Sequence, residues 1–232
     1  MRVAIMQPYL FPYIGYYQLM NAVDKFILLD SVNYIKKGFI NRNYILVNGT
    51  KHLFTINIKN KSQNTLIKDI LLDNEDENKE RFLKSIYLSY KKAPYFEQIY
   101  PMITKIVNKK HERIVELILS SIYLINDYLG ISTSIVPTSI GYNNGLKGQE
   151  RIIDICKKEK ASHYINPGGG ISLYEQDLFN ENGLKLSFLK TNPIKYKQYN
   201  NDFVPNLSII DVLMFNSPET IAGFLKEYEL IK

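Results

Sequence analysis

The chain has one cysteine, three histidines and no tryptophan among its 232 residues. A single thiol, Cys156, excludes an internal disulfide and a cysteine-built zinc site, and that usage fits a reducing cytoplasm. Cys156 also falls on the apolar side of an expected helix, where a packed thiol is a more ordinary reading than a nucleophile. His52, His111 and His163 share no His-x-x-x-His spacing, so no metal centre is expected.

No apolar run approaches the roughly 18 residues of a membrane span. The first apolar stretch is interrupted by Gln7, Pro8 and Pro12 and does not read as a signal peptide, so no membrane insertion is expected. Internal repeats, low-complexity linkers and shifts of composition are also missing. Residues 1–232 are therefore expected to form a single domain around one core. Charge is not concentrated either: the formal net charge of +6 is scattered over pairs such as Lys36-Lys37, Lys91-Lys92, Lys109-Lys110 and Lys157-Lys158. Such a balance suits a phosphate-bearing small molecule. No basic stripe interleaves with aromatics at a regular period, so nucleic acid is not expected as a partner. What the chain does have is tyrosine, 18 residues of it, each offering a flat face with a polar tip.

Hydrophobic patterning gives the order of elements. Arg2 to Met6 reads as a short buried strand, Tyr16 to Val23 as a helix, and Lys25 to Leu29 as a second strand, the start of a parallel sheet. Tyr44 to Val47 and the alternating Lys51 to Lys59 flank Asn48-Gly49, a strong hairpin signal. Ile67 to Leu72 reads as a weaker strand. From about Asp76 to Leu129 the period is helical, broken at Ala93-Pro94 and ended by Gly130, which predicts two or three helices lying against the sheet. Ser134 to Ser139 returns to strand, Gly141 to Gly145 is a loop, and Lys147 to Lys160 is an amphipathic helix with Ile152, Ile153 and Cys156 inward. His163 to Ile165 is a further strand opening into Asn166-Pro-Gly-Gly-Gly170. Strand, helix, strand implies a parallel crossover. The expected fold is α/β, with a mostly parallel Rossmann-like sheet, flanking helices and a helical insertion around residues 76–129.

Three clusters carry a family likeness. One is Gln7-Pro8-Tyr-Leu-Phe-Pro-Tyr-Ile-Gly-Tyr16, continued by Asp24-Lys-Phe, Asp30-Ser-Val-Asn-Tyr34 and Asn41-Arg42-Asn43. Another is Tyr164-Ile-Asn-Pro-Gly-Gly-Gly170, leading to Leu173-Tyr174 and Phe179. The last is Asn206-Leu-Ser-Ile-Ile-Asp-Val-Leu-Met-Phe-Asn216. With Tyr90 and Ala93-Pro94-Tyr95 between them, and in this order over nearly the whole chain, they resemble the WbqC-like family. The resemblance implies a place in O-antigen and related glycan synthesis, with transfer of an amino acid, glycine in particular, to the amino group of a dideoxy-amino sugar nucleotide. The implied partners are that nucleotide-linked amino sugar and an acyl donor, either an aminoacyl adenylate or an aminoacyl carrier protein.

Residue roles follow from chemistry. The first cluster sits at the carboxyl end of the opening strand, where open parallel sheets bind ligands. Its layout is similar to the nucleotidyltransferase and pantothenate-synthetase group, in which a His-x-Gly-His turn at a helix start steadies ATP phosphates. Here Tyr13-Ile-Gly15-Tyr16 occupies that place without the imidazoles, although its hydroxyls and the helix N-terminus could hold a phosphate, which makes ATP a candidate cofactor. Gln7, a polar amide at a strand end, is a candidate ligand contact. Asp30 is a candidate general base toward the amine, and Arg42, with Asn43, a candidate clamp for pyrophosphate or carboxylate. Asn166, Gly168 and Gly169 form a candidate phosphate cradle, with Tyr174 and Glu175 close by. Asp211, inside an apolar helix-like run, requires a partner, either Arg42 or a substrate amine. Competing readings are packing for the aromatics, a solvated surface for Lys36 and Lys37, a plain turn for the glycines and a helix-start residue for Glu150. A non-catalytic module that binds a glycan precursor is the alternative to a transferase.

Overall fold

Val3, Ala4 and Ile5 are all buried, which requires the first strand, β1 (Arg2–Met6), to carry a core on each face. The computed structural model describes all residues except 60–61, 74–75, 143–144 and 200–201, and the side chain of residue 76. Asn143-Asn144 of the expected loop thus lies outside the described residues. Beyond β1 the chain forms helix α1 (Ile14–Ala22), strand β2 (Lys25–Leu28) and the hairpin β3 (Arg42–Val47) and β4 (Thr50–Thr55). Three helices follow, α2 (Asp76–Tyr90), α3 (Phe96–Asn108) and α4 (Ile114–Leu129). Then come β5 (Ser134–Val136), α5 (Gly148–Lys158), β6 (His163–Pro167), α6 (Gln176–Glu181) and β7 (Lys185–Thr191), and finally α7 (Ile209–Phe215), α8 (Pro218–Phe224) and β8 (Tyr228–Ile231).

The main sheet has six strands in the order β5-β2-β1-β6-β7-β8, and only β8 runs antiparallel to its neighbour. Counted within this sheet the order is 3-2-1-4-5-6, the Rossmann-like arrangement of a doubly wound α/β fold. Alternate residues face opposite cores. Ala4, Phe26 and Leu28 join α1 and the helical block on one side. Val3, Ile5 and Ile27 meet Ile152, Ile153 and Cys156 of α5 and Phe179 of α6 on the other. No helix among the described residues is long and apolar enough to cross a membrane.

Asn48 and Gly49 turn the β3–β4 hairpin with φ of 49° and 74°, the paired positive values of a type I′ turn. This hairpin is a separate two-stranded sheet. The Ile67–Leu72 segment is not a strand as the apolar run suggests. Ile67–Asp69 is a 3-10 turn, followed by single bridges at Leu71 and Leu72. Ile67 and Ile70, three apart and both fully buried, follow the period of that turn. The helical insertion is present as α2, α3 and α4, with Gly130 (φ 68°) ending α4. Its supports are chiefly α7, α8 and the 3-10 turn at Ile67–Asp69, with the hairpin joined through Phe54 and Leu46, and the sheet face that it approaches is covered by α1.

Phe82 of α2 shows how that block is fastened. Its ring stacks on Phe11 with centroids 6.1 Å apart and lies 5.0 Å from Phe54 of β4, so one side chain joins the loop after β1, the hairpin and the helical block. Phe82→Ala is expected to destabilise the protein by about 3–5 kcal/mol through the cavity it leaves. A urea midpoint within error of wild type would show that the three parts are held elsewhere.

Candidate functional site at the carboxyl edge

The order of the sheet places a switch point between β1 and β6, whose connections leave toward opposite faces. The two strands pair only at Arg2–His163 and Val3–Tyr164 and separate toward their carboxyl ends. Gln7 follows β1 there and Gly168 follows β6. Gln7 is half-buried, its carbonyl accepts the Tyr16 hydroxyl at 2.9 Å, and its side-chain amide has no partner among the described residues. Across the opening, Asn166 accepts from the Tyr164 hydroxyl at 2.9 Å and donates to the Pro167 carbonyl at 3.1 Å. Of the glycines, Gly170 is sterically required, since a Cβ there would stand 2.0 Å from the Asn166 amide nitrogen. Gly168 and Gly169 have room for one. Tyr174 packs edge-on against Tyr164 and Phe179 with its hydroxyl 3.2 Å from that of Tyr164.

Asp30, just beyond β2, is buried, and its Oδ1 accepts the Ser139 backbone N–H at 2.8 Å and its hydroxyl at 3.0 Å. Ser31 and Ser139 share a 2.6 Å bond, and Arg151 of α5 donates to the Ser31 hydroxyl at 2.6 Å and to its carbonyl at 3.1 Å. Burial lowers the Arg151 pKa, while the charge of Asp30 works in the opposite sense. This cluster ties the ends of β2 and β5 to α5. Asp30 Oδ2 has no hydrogen-bond partner among the described residues.

Several other polar residues are committed to the protein itself. Arg42 does not meet Asp211; its guanidinium donates to the carbonyls of Gly38, at 2.9 Å, and Lys37, holding the loop before β3. Asn43 donates to the carbonyls of Phe11, at 2.8 Å, and Leu10, at 3.3 Å. Tyr16 is buried with its hydroxyl on Gln7. Asp211 is fully buried and accepts from Tyr196 and Gln198, both at 2.6 Å, and from Tyr90 at 2.9 Å. Its partners are therefore neutral donors, because a guanidinium is already occupied elsewhere and the helix faces the core.

Two clefts open above this framework. The larger, about 490 Å³, runs from Tyr13 and Ile14 at the start of α1 to Thr191–Tyr196 beyond β7 and on to Asn206 and Leu207. The smaller, about 340 Å³, is lined by Tyr9, Pro12, Phe39, Tyr44 and Lys51. Tyr13 and Asn206 border both. The Tyr13 ring lies across Gly15 so closely that a Cβ there would sit 2.3 Å from it, and burial raises the pKa of its hydroxyl while Thr191 acts to lower it. Of the residues expected to touch a ligand, Tyr13 lines both clefts and Asn43 the smaller. Gln7, Asp30, Gly15, Tyr16, Arg42, Asn166, Gly168, Gly169, Tyr174 and Asp211 line neither. Sequence patterning misses the Thr191–Tyr196 wall entirely. Asn206 opens the third likeness cluster and was the available signal for the other wall. No cluster of His, Cys, Asp or Glu suited to a metal ion occurs among the described residues.

The WbqC-like protein family model matches residues 7–222. An uncharacterized protein of Mycobacterium tuberculosis (strain ATCC 25618 / H37Rv), Rv1507c, is 28% identical over 228 residues, 97% of each chain. No solved structure matches.

Burial raises the Asp211 pKa although all three donors act to lower it. For a carboxyl raised in the folded state, the stabilising contribution is complete below the usual carboxylate pKa and fades as pH rises through the folded value. Wild type is therefore expected to lose stability relative to Asp211→Asn as pH climbs from about 4 toward neutrality. Thermal melts of both proteins across that range check this; a gap that opens on acidification instead would reverse the assignment.

Proposed function

The chain belongs to the WbqC-like protein family, and from that premise we propose that it is a transferase of bacterial surface polysaccharide (O-antigen) synthesis. It joins an aminoacyl group, of the glycyl type, to the amine of a nucleotide-linked amino sugar. The observation that supports this most is the parted carboxyl edge at the β1–β6 switch point, with the Gln7 amide beside it, unpartnered among the described residues, and two adjoining clefts at the start of α1. Ligands of doubly wound sheets bind in that position. Both clefts are in the size range of small-molecule sites, and each has a lysine in its lining, which suits a phosphorylated ligand.

In the proposed reaction the sugar amine attacks the activated aminoacyl carbonyl and the amide C–N bond forms. The bond to the leaving group breaks, releasing AMP from an adenylate or the thiol of a carrier protein, and one amine proton passes to a base. Asp30 is the proposed base, through its unpartnered Oδ2, with Arg151 and the two serines fixing its orientation. Gln7 is the proposed contact to the sugar nucleotide. A non-catalytic module that holds the sugar nucleotide is the second reading. The burial of Asp30 and Asp211 favours it, since neither carboxylate stands open in a cleft.

Incubation with nucleotide-linked amino sugars, ATP and glycine, read by mass spectrometry, tests the transferase reading. The expected product carries one added glycyl residue. Binding without any mass gain, with ATP or with a glycyl carrier thioester as donor, would leave only the binding module. Gln7→Ala removes an amide with no partner among the described residues, so its melting temperature should match wild type. Its affinity for the nucleotide sugar should fall about tenfold. Unchanged affinity by calorimetry would remove Gln7 from the site.

A further inference from the structure

The two clefts differ in chemistry, and the difference assigns the parts of a ligand. The smaller presents rings. Tyr9 and Phe39 meet at 6.2 Å and Phe39 and Tyr44 at 6.4 Å, with all three facing the same space. Phe39 is 43% exposed, so its ring is open to a ligand in this space. Lys51 places its ammonium 4.3 Å from the Tyr44 ring centre, so positive charge stands at the rim of an aromatic slot. The larger cleft presents polar groups among apolar ones, with Thr191, Asn192, Lys195 and Asn206 in its lining.

The boundary between them is built from two unlike residues. Tyr13 is held by the close contact of its ring with Gly15. Asn206 takes the left-handed conformation, φ 57°, and its exposed amide has no partner among the described residues. Its backbone is nevertheless firmly placed, because the Ser208 N–H bonds the Tyr44 carbonyl at 2.8 Å and the Ser208 hydroxyl bonds the Phe11 carbonyl at 2.7 Å. A free amide on a rigid mount between an aromatic slot and a polar slot suits the joint of a two-part ligand.

We infer that the clefts form one bipartite site for a nucleotide-linked sugar, with the nucleobase against the exposed Phe39 ring beside Tyr9 and Tyr44 and the glycosyl group against Thr191, Asn192 and Lys195. Asn206 lies at the phosphate bridge. This rests on the nucleotide-sugar reading above and adds to it the orientation of the ligand.

The test compares Phe39→Ala, Asn192→Ala and Asn206→Gly with the full-length wild type by isothermal titration against UDP, dTDP, UDP-N-acetylglucosamine and dTDP-glucose. Glycine at 206 keeps the left-handed backbone and deletes only the amide. Phe39→Ala should weaken free diphosphates and sugar nucleotides alike, by about tenfold, as expected for loss of one stacking ring. Asn192→Ala should weaken the sugar nucleotides and leave UDP and dTDP unchanged. Asn206→Gly should weaken all four. If wild type binds these ligands but Phe39→Ala binds them equally well, or Asn192→Ala loses free diphosphates too, the orientation is wrong while the nucleotide-sugar reading stands. If folded wild type binds none of the four, both fall together.

Discussion

Phe11 holds a left-handed backbone, φ 42°, that a phenylalanine keeps only when its surroundings enforce it. They do so from two directions: Asn43 of the hairpin and Ser208 at the start of α7 both donate to its carbonyl, and its ring is buried against Phe82. Three regions distant in sequence thereby converge on one peptide group. The loop after β1 is bent back over the sheet edge, and Asn206 is carried to within the same wall as Tyr13. Without that arrangement the two clefts would share no border.

Beneath the loop, the sheet supplies the opening. A parallel strand pair stays closed when its connections cover the same face. Those after β1 and β6 do not, since α1 packs on the Ala4 and Phe26 side while α6 packs on the Val3 and Ile5 side. Pairing stops after Val3 and Tyr164, and the strands are free to part. Asp211 does comparable work on the far wall of the larger cleft. Tyr196 lines the cleft and bonds its carboxylate, and Gln198 bonds both that carboxylate and the backbone of Val204. The Tyr90 hydroxyl links the same group to α2 and accepts from the Leu46 N–H of β3. A carboxylate in the core is costly unless its oxygens are filled, and filling them here anchors Tyr196 and Gln198, and through Gln198 the Val204 backbone.

The central fold is legible in the sequence because its signals are local. Val3-Ala-Ile5 is too short and too apolar for a surface helix, Asn48-Gly49 has one favoured hairpin geometry, and Gly130 marks a helix end. Ile67–Leu72 misleads because an apolar spacing of three and an apolar alternation look alike over six residues. The β7 strand and the wall beyond it leave little periodic trace: Asn192-Pro-Ile-Lys-Tyr196 has no regular secondary structure, and its position comes from the distant Asp211. The candidate site is legible by place more than by residue. Gln7, Asp30 and Gly168 do follow neighbouring strands at one edge. No local pattern tells whether a polar side chain faces a ligand or closes a loop.

That distinction divides the site. Arg42, Asn43, Ser208 and Asp211 are chemically capable of holding a substrate, yet each is satisfied by backbone or side-chain groups of its own chain and spends its polarity on shape. Among the described residues near the edge, the amides of Gln7 and Asn206 and one oxygen of Asp30 are polar groups that the fold leaves without a partner. Two amides and one carboxylate oxygen recognise hydroxyls and amines well and polarise a carbonyl poorly. Under the proposed transferase reading, a site so equipped would orient a sugar amine and take its proton, leaving activation of the carbonyl to the donor. Amide formation from an already activated aminoacyl group needs nothing more from the protein than that alignment.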